Sequence, residues 1–199
     1  MKPLTYPCDV NLTIEQRNVK PGFVVEKFDD LFFVKENVLS DAQCDELIDY
    51  ADKNLHYEPN KTPEHWQVSY TTCLMSKHSG IAEVLEPIWL EAIKFYGLDI
   101  EWIEEYEIKK YSVGDFITEH VDQYYGACKP YERKMTMVAQ LSHGTEYEGG
   151  DFKTCKVIKS SRTRGSVIVI PSYFVHEVTE VTQGARYSIN CWAWGKLWT

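Results

Sequence analysis

Beyond Gly97 the sequence breaks into short runs rich in β-branched and aromatic residues: Ile103 to Tyr111, Thr118 to Val121, Met135 to Leu141, Ser166 to Ile170 and Tyr187 to Trp194. Single glycines and the pair Gly149-Gly150 punctuate them. Such a series predicts a β-sandwich or barrel, because these side chains fit a pleated, half-buried surface. The run Val167-Ile168-Val169-Ile170 ends at Pro171 and is apolar at every position, which predicts a central strand buried on both faces.

Upstream the period changes. Ser40 followed by Gln43 forms a capping-box pair ahead of a stripe of Ala42, Cys44, Leu47, Ile48 and Ala51, predicting a helix. A second helical pattern runs from about Ile81 to Phe95, with Val84, Leu85, Ile88 and Ala92 on one face and Gly97 as its stop. Pro87 inside it predicts a kink or a late start. Helices first and strands after describe an α+β unit with a jelly-roll core buttressed by N-terminal helices. A chain of 199 residues suits one domain: an extension over 1–30, helical support over 31–98, and the core with its site over 99–199.

Composition narrows the partners. Hydrophobic residues make up 44% and charged residues 26%, enough apolar surface for a packed core. Thirty acidic against 21 basic residues leave a formal charge of −9, which opposes sequence-blind nucleic-acid binding. The six cysteines are scattered without a C-x-x-C pair, so they read as reduced core thiols and not as a zinc or redox motif. Neither a leader-like start nor an apolar run of about 18 residues is present, and a soluble cytoplasmic protein without a membrane partner is the expectation. The oligomeric state is not written in the sequence.

Of the six histidines, His120 stands two residues before an aspartate, Asp122. In a strand, i and i+2 point to one face, so imidazole and carboxylate can converge. His176 closes the run IPSYFVH beyond the apolar strand, where an antiparallel neighbour would bring it beside the first two. Two imidazoles and one carboxylate on one side of a metal form the facial triad of non-haem Fe(II), with positions left open for O2. An isolated H-x-D is common, and a histidine at a strand end often serves structure alone.

Arg186 adds weight. In RYSINCW, alternation places Arg186, Ser188, Asn190, Trp192 and Trp194 on one face and Tyr187, Ile189, Cys191 and Ala193 on the other. An inward arginine requires an anion, and a guanidinium can clamp a carboxylate bidentately, with a hydroxyl such as Ser188 or Tyr111 adding a hydrogen bond. A keto acid that chelates iron at one end and needs a cation for its other carboxylate is 2-oxoglutarate.

These residues resemble the Fe(II)- and 2-oxoglutarate-dependent oxygenases, specifically the prolyl 4-hydroxylase-like group. The stretch YSVGDFITEHVD, residues 111–122, resembles that family's tyrosine, glycine, aromatic and H-x-D block. RKMTMVAQLS, from Arg133, is similar to its next strand, and EGGDF, from Glu148, to its glycine-pair turn. GSVIVIPSYFVHEV, from Gly165, resembles its distal-histidine strand, and RYSINCW, from Arg186, its closing strand. A weaker match, FFVKENVLSDAQCDELI from Phe32, extends the likeness upstream.

The resemblance implies a double-stranded β-helix with Fe(II) on His120, Asp122 and His176, and the far carboxylate of 2-oxoglutarate on Arg186. It implies Tyr111 lining the co-substrate pocket and Trp192 near the reacting centre. It further implies hydroxylation of an unactivated C–H bond with release of succinate and CO2, with O2 as oxidant and ascorbate as an auxiliary reductant. A prolyl residue of a peptide or protein is the favoured substrate, and a free amino acid or other small molecule is the alternative. Two departures stand out. Gln140 replaces the tyrosine that hypoxia-type prolyl hydroxylases carry before the leucine of the third block. Trp192 stands where the nucleic-acid demethylases place a second arginine, which argues against nucleobase repair.

Other readings stay open at this level. Tyr111, Trp192 and Trp194 suit a packed core equally well. His143 reads as a solvated loop residue, the Glu-rich stretch from Glu101 to Glu107 as a solvated face, and His56, His65 and His78 have no ligand-like spacing. A non-catalytic jelly-roll binding module, or a cupin-like metalloenzyme in which Arg186 serves an ion pair, is the rival reading.

Overall fold

The computed structural model describes residues 31–57, 68–75, 80–123, 130–155 and 158–197. The extension expected over 1–30 lies outside them, as do His65, His78, Cys8 and Cys128. The first half contains β1 (Phe33–Lys35), α1 (Asp41–Asn54), β2 (His56–Tyr57), β3 (Val68–Ser69), β4 (Thr71–Met75) and α2 (Ile81–Tyr96). Then come β5 (Trp102–Ile103), β6 (Tyr106–Tyr111), β7 (Phe116–His120), β8 (Tyr131–Gln140), β9 (Tyr147–Gly149) and β10 (Phe152–Thr154). The chain continues through β11 (Ile158–Lys159), β12 (Val167–Pro171), β13 (His176–Val178), β14 (Val181–Gly184) and β15 (Arg186–Lys196).

Local sequence explains both helices. Ser40 Oγ accepts from the Gln43 amide at 3.3 Å while Gln43 Oε1 accepts from the Ser40 amide at 2.9 Å, the reciprocal cap that the sequence predicts. Cys44, Leu47 and Ala51 are buried, whereas Ala42 of the expected stripe faces solvent in the first turn. α2 runs unbroken from Ile81, so no late start is needed for Pro87. Pro87 and Glu83, whose carbonyl loses its usual helical donor, both lie on the exposed side of the helix. Gly97 ends the helix at φ 64°, its N–H donating to the Ile93 carbonyl.

Eight strands form a major sheet in the order β1-β12-β8-β15-β6-β4-β2, with β5 beside β15. Five form a second sheet, β11-β10-β13-β7-β3, and β14 pairs with β9. The pairings are antiparallel, as a jelly roll requires. On its outer face the major sheet contributes Ile108, Met135, Met137, Ala139, Ile189 and Cys191 to a core shared with Leu47 of α1 and Leu85 and Trp89 of α2. A smaller cluster fills part of the space between the two sheets, where Tyr111, Val138, Ile168 and Ile170 meet Ile117, Phe152 and Val178. Val167 to Ile170 therefore serve both cores alternately, and the strand predicted to be buried on both faces is. The rest of the inter-sheet space is lined by polar side chains.

Candidate metal and co-substrate site

β7 and β13 pair with His176 opposite His120, and this register brings the two rings to a centroid separation of 4.2 Å. Each imidazole is held by its own strand end. His120 Nδ1 lies 2.8 Å from the Thr118 carbonyl and His176 Nδ1 3.0 Å from the Phe174 carbonyl. A carbonyl accepts only, so Nδ1 carries a proton in each ring and Nε2 is the atom left to meet a carboxylate or a metal. Both Nε2 atoms face Asp122, at 3.5 Å from Oδ1 for His120 and 3.2 Å from Oδ2 for His176. The three ligand atoms lie within 4.8 Å of one another, as a single cation requires.

Asp122 reaches this point by a route other than strand alternation, for β7 ends at His120. The loop is pinned by the amides of Asp122 and Gln123, which both donate to the Ser172 carbonyl at 2.9 Å. Its carboxylate is then oriented by Thr136 Oγ1 at 2.8 Å and Trp192 Nε1 at 2.9 Å, both donating to Oδ2. Burial would raise the Asp122 pKa, but the flanking His176 and His120 hold it well below the ordinary carboxylate range. Burial lowers the His120 pKa, while at His176 burial acts the same way but the charge and hydrogen bond of Asp122, together with the Phe174 carbonyl, raise it. The result is a buried anion between two oriented imidazoles.

β15 supplies the second half. Arg186 is 2% exposed, yet among the described residues it makes no ion pair; its Nε donates to Gln140 Oε1 at 3.1 Å. Gln140 is itself fixed by donating to the Ser142 carbonyl and the Tyr147 hydroxyl. The residue that departs from the hypoxia-type pattern thus orients the guanidinium. Tyr111 stands opposite Arg186 on β6 and lies under the guanidinium, 5.5 Å from ring centre to Cζ. Its ring is fully buried, its hydroxyl has no partner among the described residues, and burial pushes its pKa up to about 12. Arg186 and Gln140 border a cavity with Val138, Ile168 and Ser161.

Ser188 Oγ donates to Asn190 Oδ1 at 3.0 Å, so its lone pairs and not its proton face a ligand. Trp192, 5% exposed, is bonded to Asp122 on its edge and covered by the Arg133 guanidinium 4.0 Å above its ring. All seven residues singled out from the sequence come together between the sheets or at their rim. Sequence reasoning missed Thr136 and Lys109. Thr136 meets Trp192 only through the β8–β15 register, a pairing with no local signal. Lys109, two residues before Tyr111, was open to the same alternation argument applied to β15.

The Glu-rich stretch is only partly a solvated face. Glu104 accepts both Arg133 Nε at 2.7 Å and Arg133 Nη2 at 2.9 Å, together with Trp194 Nε1. His143, in a loop, contacts Arg164 at 3.1 Å. The four cysteines within the described residues, Cys44, Cys73, Cys155 and Cys191, are free and buried. Among the described residues no helix is long and apolar enough to cross a membrane.

The donor set fits Fe(II): two imidazoles whose Nε2 atoms converge with one carboxylate leave coordination positions for a chelating ligand and O2. A buried guanidinium with no carboxylate among the described residues, beside a phenol with no partner among them, fits the remote end of a keto dicarboxylate such as 2-oxoglutarate.

Comparison with known proteins bears on the same segment. A family model described as the 2OG-Fe(II) oxygenase superfamily matches residues 106–194. No curated protein sequence matches significantly. Among solved structures, the viral collagen prolyl hydroxylase vCPH of Paramecium Bursaria Chlorella virus-1, in its 2OG complex, superposes with a TM-score of 0.63 at 20% identity, over 83% of this chain and 96% of that one. A Pseudomonas putida prolyl-4-hydroxylase gives 0.65 at 15% identity, over 82% and 91%. The prolyl hydroxylase of Trichoplax adhaerens, solved with a peptide fragment of the hypoxia inducible factor oxygen degradation domain, gives 0.60 at 16% identity, over 82% and 83%. At these identities the structures establish a shared jelly-roll fold, and the family whose model matches residues 106–194 uses Fe(II), 2-oxoglutarate and O2. Residues 106–194, the segment that carries every candidate ligand, match the model of the 2OG-Fe(II) oxygenase superfamily.

Proposed function

We propose that the protein hydroxylates an unactivated C–H bond of a prolyl residue in a peptide or protein, releasing succinate and CO2. The observation that carries this reading is the convergence of His120, Asp122 and His176 within 4.8 Å, between the same two sheets as an Arg186 that lacks an ion-pair partner among the described residues. In it, the three ligands hold Fe(II), Arg186 holds the far carboxylate of 2-oxoglutarate, and Tyr111 and Ser188 line that pocket. Trp192 stands beside the reacting centre. When bound, iron and keto acid together activate O2 for the hydroxylation.

The chain's own residues provide orientation. Nδ1–H bonds to Thr118 and Phe174 fix each imidazole, Thr136 and Trp192 fix the carboxylate, and Gln140 fixes the guanidinium. No side chain is required as general base or nucleophile. A peptide substrate is favoured by the folds it shares with prolyl hydroxylases, one of them bound to a peptide. Residues 31–98 and 99–199 act in this reading as support and core of one domain.

Anaerobic titration with Fe(II) and 2-oxoglutarate tests the centre: the wild-type protein should develop the weak visible charge-transfer absorption of the chelate, and its absence would remove the dioxygenase reading. Mass spectrometry of proline-containing peptides then tests the substrate. A gain of one oxygen on proline is expected. Oxygen gained only by a free amino acid or small molecule would retain the chemistry and discard the prolyl assignment.

A further inference from the structure

Lys109 is a buried cation with no assigned task. On β6, Tyr106 and Ile108 face the outer core, while Lys109 and Tyr111 turn toward the space between the sheets. The pairing with β15 sets Tyr111 beside Arg186 and Lys109 beside Ser188. Trp192, which bonds Asp122, lies further along the same face. Lys109 therefore sits one row from Arg186 in the direction of the metal ligands.

Its surroundings are incomplete. The residue is 5% exposed, and its Nζ lies 4.5 Å from the Tyr70 ring centre and 5.1 Å from that of Trp192. Its nearest carboxylate is Glu107 Oε2 at 3.6 Å, beyond hydrogen-bond length, and among the described residues the ammonium makes no hydrogen bond. Burial opposes the charge, but Tyr70, Tyr111, Glu107 and Asp122 together hold its pKa above the ordinary lysine value. An ammonium has three protons to donate and accepts none. Held charged beside the Tyr70 and Trp192 rings, it needs an acceptor that the described residues do not supply.

Charge balance points to the same acceptor. Two cations, Arg186 and Lys109, and two anions, Asp122 and Glu107, already line this stretch, so it is close to neutral before anything binds. A divalent cation together with a dicarboxylate adds no net charge. One carboxylate goes to Arg186, and the other, at the metal end, comes within the field of Lys109.

We infer that Lys109 binds the 1-carboxylate of 2-oxoglutarate, donating to the oxygen turned away from the metal, so that the co-substrate is held by a cation at each end. This rests on the dioxygenase reading and adds a residue to it. Two consequences follow: the dianion binds even without metal, and each cation discriminates a different carboxylate.

The test pairs variants with trimmed ligands. 4-Oxopentanoate lacks the 1-carboxylate and 2-oxopentanoate lacks the 5-carboxylate. Calorimetric titration of metal-free and Mn(II)-loaded protein should show Lys109→Met weakening 2-oxoglutarate and 2-oxopentanoate by about tenfold or more, as loss of a hydrogen bond to a charged group does. It should leave 4-oxopentanoate unchanged. Arg186→Met should give the opposite pattern. Thermal unfolding confirms that both variants fold, and Lys109→Arg should retain most of the affinity. Affinity for 2-oxoglutarate within twofold of wild type in Lys109→Met, or an equal loss of all three acids, overturns the inference while the dioxygenase reading stands. Failure of the wild-type protein to bind 2-oxoglutarate with or without metal overturns both.

Discussion

The two faces of β15 are equally buried and built on opposite principles. Tyr187, Ile189, Cys191 and Ala193 join an apolar core beneath α1 and α2, where every neighbour is another side chain of the fold. Arg186, Ser188, Asn190 and Trp192, alternating with them, share the inner face with Lys109, Thr136 and Gln140, all less than a tenth exposed. Outside, burial is complete in itself. Inside, hydroxyls and amides are bonded to one another, but among the described residues Arg186 has no ion pair, and the Lys109 ammonium and the Tyr111 hydroxyl have no hydrogen bond. The proposed function puts stability on one face and ligand recognition on the other, and variants on a single strand should separate the two.

The largest effect should come from the inner site. His176→Ala removes an imidazole whose Nδ1 is already committed to the backbone, and its loss leaves a two-ligand site. Succinate formation should fall by roughly a thousandfold or more with the fold retained, as metal-dependent chemistry loses its centre. Turnover close to wild type would take His176 out of the site.

Next comes the outer face. Ile189→Ala empties a fully buried position between the sheet and its helices and should cost about 2–5 kcal/mol of unfolding free energy. Affinity for 2-oxoglutarate in the folded fraction should hardly move. A comparable loss of affinity would show that the two faces are coupled. Arg186→Met is the reciprocal case. Co-substrate affinity should drop about ten- to hundredfold, because a charge-assisted fork is lost. Ligand-free stability should fall by no more than about 1 kcal/mol, since the variant gives up one bond to Gln140 and also a buried charge with no counter-ion among the described residues. A large destabilisation would mean that the inner face serves the fold as well.

Much of this division is legible in the sequence. The alternation in RYSINCW separates the two faces of β15 correctly, and His120, Asp122 and His176 are visible because a metal site needs ligand-bearing side chains in a set spacing. The capping box at Ser40 is local chemistry and local sequence reports it. What escapes is long-range. Asp122 is positioned by Ser172, Thr136 and Trp192, which only strand register brings near. Lys109 is adjacent to Lys110, and two lysines in succession look like a solvated pair until the fold sends one inward and the other out to Asp52. Glu104 sits among acids that suggest a solvated surface, yet Arg133 and Trp194 close on it from strands far away in sequence.

The smallest expected effect lies where the outer face meets solvent. Asp52, on the last turn of α1, accepts from Lys110 Nζ at 2.8 Å and from Tyr187 Oη at 2.7 Å, tying the helix to β6 and β15. Slight burial raises its pKa, but the bonds from Lys110 and Tyr187 outweigh this and lower it from 3.8. A carboxyl whose pKa is depressed on folding contributes stability above its unfolded value and loses that contribution as pH falls through the folded one. Asp52→Asn should therefore cost a few tenths to about 1 kcal/mol at neutral pH, the range of an exposed ion pair, because the side chain is 45% exposed and screened. The difference from wild type should narrow as the pH is taken below 3.8 and shrink in high salt. Unfolding curves of the two proteins across that range decide it. A gap that stays constant with pH would assign the cost to lost packing, and the apolar outer face would then hold the helix without help from this charge.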